Sequence, residues 1–305
     1  MAETPPPLVF ETSFVPETGR LVEVLPGIGR VTAPNAGPYT FTGTNSFLIG
    51  RETIAVLDPG PDDPRHMAAL KAAIGGRKVE AILLTHTHKD HSASAARLKA
   101  ETGAPLWFAG PHRLSRPLHM FEINALARDC DWRLMPDLTF FDGEGFAAGD
   151  VRLVAIATPG HCANHMSYAV EGTDWLLTGD HIMGWNSTLV AVPDGSMAEY
   201  LSSLKKVLAL PYTRYLPAHG GPIADGHAYA RALLAHRELR NRQVVDCVKA
   251  GATTIGQLLD RIYPTLRTAL RFAAALTLRA HVEYLDAQGA VRIRRGVLGT
   301  RLSPV

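Results

Sequence analysis

Four side chains able to bind a transition metal lie within six residues in Thr85-His86-Thr87-His88-Lys89-Asp90-His91. In an extended segment, side chains at i, i+2 and i+4 leave on one side. His86, His88 and Asp90 are therefore expected to converge, and a turn into a following helix would bring His91 round to join them. Imidazole and carboxylate together suit zinc. Crowding four such groups at a strand end would be costly to bury without a partner ion. A metal also needs ligands from elsewhere in the chain. Three small-residue turns offer them: Thr158-Pro159-Gly160-His161, Leu177-Thr178-Gly179-Asp180 and Leu216-Pro217-Ala218-His219-Gly220. Glycine beside a ligand lets the backbone approach closely. Each turn is weak alone, and their weight comes from the first cluster.

These turns need elements to hold them. Short apolar runs bounded by Gly, Pro and Asp predict strands at 53–58, 79–84, 151–156, 166–170, 175–177 and 214–216. Helices are expected at 63–74, with Pro64 near its start, and at 92–102, stopped by Gly103. Strands mixed with helices predict one large α/β unit over residues 1–225. After Asp225-Gly226 the texture changes to helices at about 226–250, 254–262 and 266–287, with Thr253-Thr254 as a cap. Gln288-Gly289 then leads into the alternating Val291-Arg292-Ile293-Arg294-Arg295. Residues 226–305 are thus expected to form a second, winged-helix-like domain, with a plain helical appendage as the other reading.

The composition narrows the classes. With 46% apolar and 20% charged residues in 305, the chain is neither disordered nor fibrous. It has no run of about 18 apolar residues that would predict a membrane span. The start, Met1-Ala2-Glu3-Thr4-Pro5-Pro6-Pro7, lacks the basic-then-apolar pattern of a secretory leader. Cys130, Cys162 and Cys247 are scattered and odd in number, which fits a reducing cytoplasm. The net charge of +2 hides an asymmetry. Residues 226–305 hold 13 Lys+Arg against 5 Asp+Glu, leaving 18 against 24 in the first 225. A basic terminal segment hints at a polyanionic partner.

The order His-x-His-x-Asp-His, a later His, an Asp and a final His resembles the metallo-β-lactamase superfamily over about residues 20–225. That resemblance implies an αββα sandwich with two metals at one edge. By it, His86, His88 and His161 would hold one metal, and Asp90, His91 and His219 the other. Asp180 would bridge them together with a hydroxide. Two zinc ions are expected, with manganese or iron as substitutes. Gly43-Thr44-Asn45-Ser46-Phe47-Leu48-Ile49-Gly50, Gly179-Asp180-His181-Ile182-Met183-Gly184 and the segment His236 to Arg242 are similar to the β-lactamase-like-protein-2 group. That group carries a winged-helix-like C-terminal part and is associated with cleavage of single-stranded RNA.

The expected reaction is hydrolysis by the metal-bridging hydroxide. Asp90 would also orient that hydroxide, and His165 would give a proton to the leaving group. Asp58 and His181 would steady ligands from behind. Asn45, at the metal edge, and Arg237 and Arg240, on one helix face, would contact substrate. The leading substrate is single-stranded RNA, met by Arg292, Arg294 and Arg295 as well. A thioester hydrolase similar to glyoxalase II shares the ligand set and is the alternative. A nucleic-acid-binding protein with an inactive metal domain is the non-enzyme alternative. No membrane partner is expected, and a homodimer is compatible with the chain.

Overall fold

The computed structural model describes residues 8–296 and 299–305. One sheet has seven strands: β1 (Leu21–Leu25), β2 (Ile28–Thr32), β3 (Asn45–Ile49), β4 (Thr53–Leu57), β5 (Lys78–Leu83), β6 (Leu106–Phe108) and β7 (Leu138–Thr139). They lie in sequence order, antiparallel through β4 and parallel from β4 onward. Its parallel half needs crossovers. The first two are helical, α1 (Pro64–Ile74) and then the single turn α2 (Lys89–Ser92) with α3 (Ala95–Thr102), while the third, from β6 to β7, has no helix. The second sheet holds β8 (Gly145–Ala148), β9 (Val151–Ala157), β10 (Met166–Val170), β11 (Trp175–Gly179) and β12 (Arg214–Pro217), with α4 (Met197–Leu208) crossing from β11 to its parallel neighbour β12.

Three apolar layers make this a helix–sheet–sheet–helix sandwich. Between the sheets, Phe47, Leu57, Leu83 and Ile49 meet Leu153, Tyr168, Leu177 and Leu216. The outer face of the first sheet is closed by Met67 and Leu70 of α1 and Leu98 of α3. That of the second is closed by Tyr200 and Leu204 of α4 and by Ala230 and Leu233 of α5 (Gly226–Lys249). These buried strands are nearly continuous apolar runs, as expected for strands covered on both faces.

The sequence predicts one helix over 92–102, but the structure breaks it at Ala93-Ser94. Ser94 gives its backbone N–H to Gly60 O and its hydroxyl to Pro61 O, which pins the break. The terminal region adds α6 (Ile255–Ile262), α7 (Thr268–Ala287) and an antiparallel hairpin of β13 (Val291–Gly296) and β14 (Gly299–Pro304). Val244, Val248, Leu258, Leu278, Val282 and Leu302 form its own core. Asp225 and Thr254 cap α5 and α6 with their side chains. No helix among the described residues is long and apolar enough to cross a membrane.

Candidate metal centre

The candidate ligands follow the C-terminal ends of four strands, β5, β9, β11 and β12, which all reach one edge of the sandwich. Met166 N donates to Thr85 O and Asn45 N to Ala218 O, stitching the two sheets together there. On that edge two groups form. His86 Nε2 and His161 Nε2 lie 3.0 and 2.9 Å from His88 Nδ1. Asp90 Oδ2 lies 3.3 Å from both His91 Nε2 and His219 Nε2. The carboxylate of Asp180 stands between the groups. Its Oδ1 is 3.6 Å from His91 and 3.3 Å from His219, and its Oδ2 is 3.6 Å from His161. Simple alternation would send Asp90 to the centre shared by His86 and His88. The helical turn of α2 instead swings Asp90 and His91 together to the second group.

All five rings are held from behind by an oxygen at their other nitrogen. Thr85 Oγ1 meets His86 Nδ1 at 2.9 Å, and Asp194 Oδ2 meets His88 Nε2 at 2.8 Å. Asp58 Oδ2 meets His91 Nδ1 at 3.0 Å, Leu189 O meets His161 Nδ1 at 2.7 Å, and Gly43 O meets His219 Nδ1 at 3.3 Å. With those nitrogens protonated, the converging ones carry lone pairs. His91 Nε2, His219 Nε2 and Asp180 Oδ1 are buried without any hydrogen-bond partner. Such an orphaned set fits a pair of divalent cations, which is what buried ligand atoms otherwise lack.

The electrostatics point the same way. Burial pushes His86 well below the usual imidazole range, helped by His91, His88 and His161. Burial and His88 take His161 down to about 4. In the acid-bearing half, burial is outweighed. Asp90, Asp180 and Asp58 hold His91 well above its usual range, and Asp180 and Asp90 raise His219 to about 9. Burial likewise fails to neutralise Asp180, which His219 and His91 keep well below the carboxylate range. This half demands positive charge, and protons supply it where a cation would.

The other expected residues divide. Asp58 steadies His91 and also accepts from Thr85 N and Oγ1, both at 2.7 Å. His165 is misread as a proton donor. It is buried, its Nδ1 is 2.9 Å from Thr158 Oγ1, and its Nε2 accepts from Asp180 N at 3.0 Å. Burial, with His161 and His181 nearby, holds it neutral, so it positions the Asp180 backbone. His181 is buried against Tyr200 and touches no ligand ring through a hydrogen bond.

Asn45 is misread as a substrate contact. It takes a bond from Thr32 Oγ1 and gives bonds to Pro217 O and Gly220 O, so it tethers the turn that carries His219. Arg237, expected on a helix face that meets substrate, points into the protein instead. It is 2% exposed, donates to Thr188 O, and stacks over Tyr200. Arg240 stacks over Tyr263, 4.2 Å from its ring centre, and donates to Gln243.

Sequence reasoning misses Asp194. It joins His88 to His112, whose Nε2 is 2.8 Å from Asp194 Oδ1, and Cys130 Sγ lies 3.8 Å from the same oxygen. The Pro193-Asp194-Gly195 context reads only as a turn.

The ligands open into a cleft of about 430 Å³. Its walls include Ala125, Leu126, Met183 and Leu189, with Phe272 reaching in from α7 and Lys89 as the one cation among the described lining residues. A smaller cavity of about 150 Å³ adjoins it and shares Tyr39, Met183 and Leu189.

Comparison with known proteins places these features. The sequence profile of the metallo-beta-lactamase superfamily matches residues 39–219. A beta-lactamase-like protein 2 homolog of Caenorhabditis elegans is 28% identical over 269 residues, covering 87% of this chain and 85% of its own. An atrochrysone carboxyl ACP thioesterase of Aspergillus aculeatus is 23% identical over 312 residues, covering 95% and 91%. A metallo-beta-lactamase family protein of Thermus thermophilus superposes with a TM-score of 0.75 at 26% identity, covering 93% of this chain and 100% of that one.

Proposed function

The chain belongs to the metallo-β-lactamase superfamily, and from that premise we propose that it is a binuclear zinc-dependent hydrolase of acyl thioesters. His86, His88 and His161 would hold one ion, Asp90, His91 and His219 the other, and Asp180 both. Two such ions supply a water acidified toward neutrality and polarisation of the scissile carbonyl. The carrying observation is that an orphaned ligand set opens on a mostly apolar cleft, with no histidine outside that set free to donate a proton among the described lining residues. Met183, Leu189, Leu126 and Phe272 suit an acyl chain. With both ring nitrogens engaged, His165 cannot protonate a leaving group. A thioester does not require one. Water oxygen adds to the carbonyl carbon and its protons pass to solvent, the C–S bond breaks, and the sulfur leaves with the electron pair as a thiolate, whose conjugate acid has a pKa of about 8.5. Asp90 orients the attacking water, and its exposed side faces the cleft. The thioesterase named above gives this reading a precedent of similar length.

Cleavage of single-stranded RNA is the second reading. It has the exposed hairpin behind it, where Arg292, Arg294 and Arg301 project and Arg294 sits opposite Arg301. Against it, Arg237, Arg240, Arg261, Arg271, Arg279 and Arg295 engage their guanidinium groups within the protein. The test is turnover by zinc-loaded protein of acyl thioesters, single-stranded RNA and a chromogenic β-lactam. Thioesters are expected to be the fastest. Cleavage of RNA with thioesters untouched overturns the proposal.

A further inference from the structure

Among the described residues, eight of the sixteen large apolar side chains that stand exposed fall between Leu118 and Phe141, mostly in the loop from β6 to β7. Four of them share six positions. Leu118 is 48% exposed, Met120 84%, and Phe121 and Ile123 81% each. The stretch is a formed turn. Glu122 N donates to His119 O at 3.0 Å, and the Glu122 carboxylate accepts from His119 N at 3.0 Å while Arg116 grips it. Met120 and Phe121 are left at the tip. Phe121 has φ of 63° in the third position of this turn, where glycine or asparagine is the ordinary residue. A ring there strains the backbone and then faces water, so the isolated chain gains nothing from it on either count.

We propose that this tip is a contact between two copies of the chain, packed about a twofold axis. The area fits. An interface of standard size takes about 800 Å² from each partner, about 65% of it apolar between identical subunits. The four side chains expose roughly 500 Å², which is that apolar share. The charge fits as well. Residues 109–137 hold four Arg against four Asp+Glu. Such a balance selects neither an anionic bilayer nor a strongly charged partner, whereas both signs on one surface let a twofold contact set each against its opposite. The turn is already formed, so little ordering entropy opposes docking. Ala125 and Leu126, within three residues of Ile123, line the metal cleft, so pairing would buttress a wall of the reaction space. The inference does not depend on which bond the metal centre cleaves.

Sedimentation velocity of the zinc-loaded full chain, spanning about 1–100 μM, tests it. The expected result is a species of twice the chain mass at the upper end. Phe121→Asn is expected to raise the dissociation constant about 100-fold or more, because a twofold contact loses the ring twice. Zinc content should not change, since asparagine accepts the left-handed backbone. Ile123→Ser repeats the test outside the turn, and dissociation by either variant supports the contact. A wild type that stays monomeric throughout, or a dimer that both variants leave intact, overturns the proposal. So does binding of monomeric wild type to phosphatidylglycerol vesicles that Phe121→Asn abolishes, which would make the tip a lipid anchor instead.

Discussion

Asp58 takes a left-handed backbone with φ of 51°, a conformation that costs most side chains about 1–3 kcal/mol. Aspartate tolerates it better than most, and the turn aims its carboxylate at Thr85 and His91 at once. Asp194 does the same office for His88. Replacing either with Ala is expected to lower zinc affinity about 10–100-fold, as losses behind a ligand ring do; competition against a chromogenic chelator measures it. His165→Gln separates positioning from proton donation. The expected result is a lower kcat with the shape of its pH profile kept, whereas a lost alkaline limb marks His165 as an acid after all. The ligand set is legible in sequence because His86 to His91 are adjacent and the others sit beside strand-end glycines. Asn45, Arg237 and His165 mislead for a common reason. Near a buried charged cluster, polar residues commit their hydrogen bonds to the scaffold, and sequence does not say which way they face.

Among the elements, the long strands β4, β5, β9 and β10 are readable from their apolar runs. Strands as short as β6 and β7 offer too few residues for a period. The break between α2 and α3 is hidden because the bonds that pin it come from Gly60 and Pro61, far away in sequence. At the end of β11, Gly179 has φ of 53°, and an added Cβ would lie 2.6 Å from His165 Nε2 and 2.9 Å from Thr85 Cβ. Gly179→Ala is therefore expected to cost about 1–3 kcal/mol in denaturant unfolding and to lower bound zinc as well. Along α5, burial followed by Arg237 and Arg240 holds His236 at about 4 against an ordinary 6.5, and His281 of α7 adds to the cluster. The unfolded chain takes up that proton first as pH falls. The stability from a neutral His236 is thus complete above pH 6.5 and is lost toward pH 4. His236→Gln is expected to flatten the fall of Tm across this window.

Across the whole molecule, one ion network ties the terminal helices to the cleft wall. Arg116 binds Glu122 and Glu283 of α7, each at 2.6 Å, and Arg279 and Arg295 complete it. Glu122 is nearly buried, and despite that burial Arg116 takes it down to about 2. Glu122→Ala is expected to cost about 1.5–3 kcal/mol, the range for bonds to charged groups. It should also raise KM more than it lowers kcat, since Ala125 and Leu126 line the cleft just beyond. Pairing of this kind also explains why the basic balance of residues 226–305 overstates their free charge.

Phe272 stands on a helix outside the sandwich and yet reaches into the reaction space. On the function proposed above, hydrolytic power and choice of acyl group would be divided between separate stretches of polypeptide. Natural or laboratory recombination could trade the tail of one relative for that of another and retarget the catalyst, leaving every ion-holding side chain untouched.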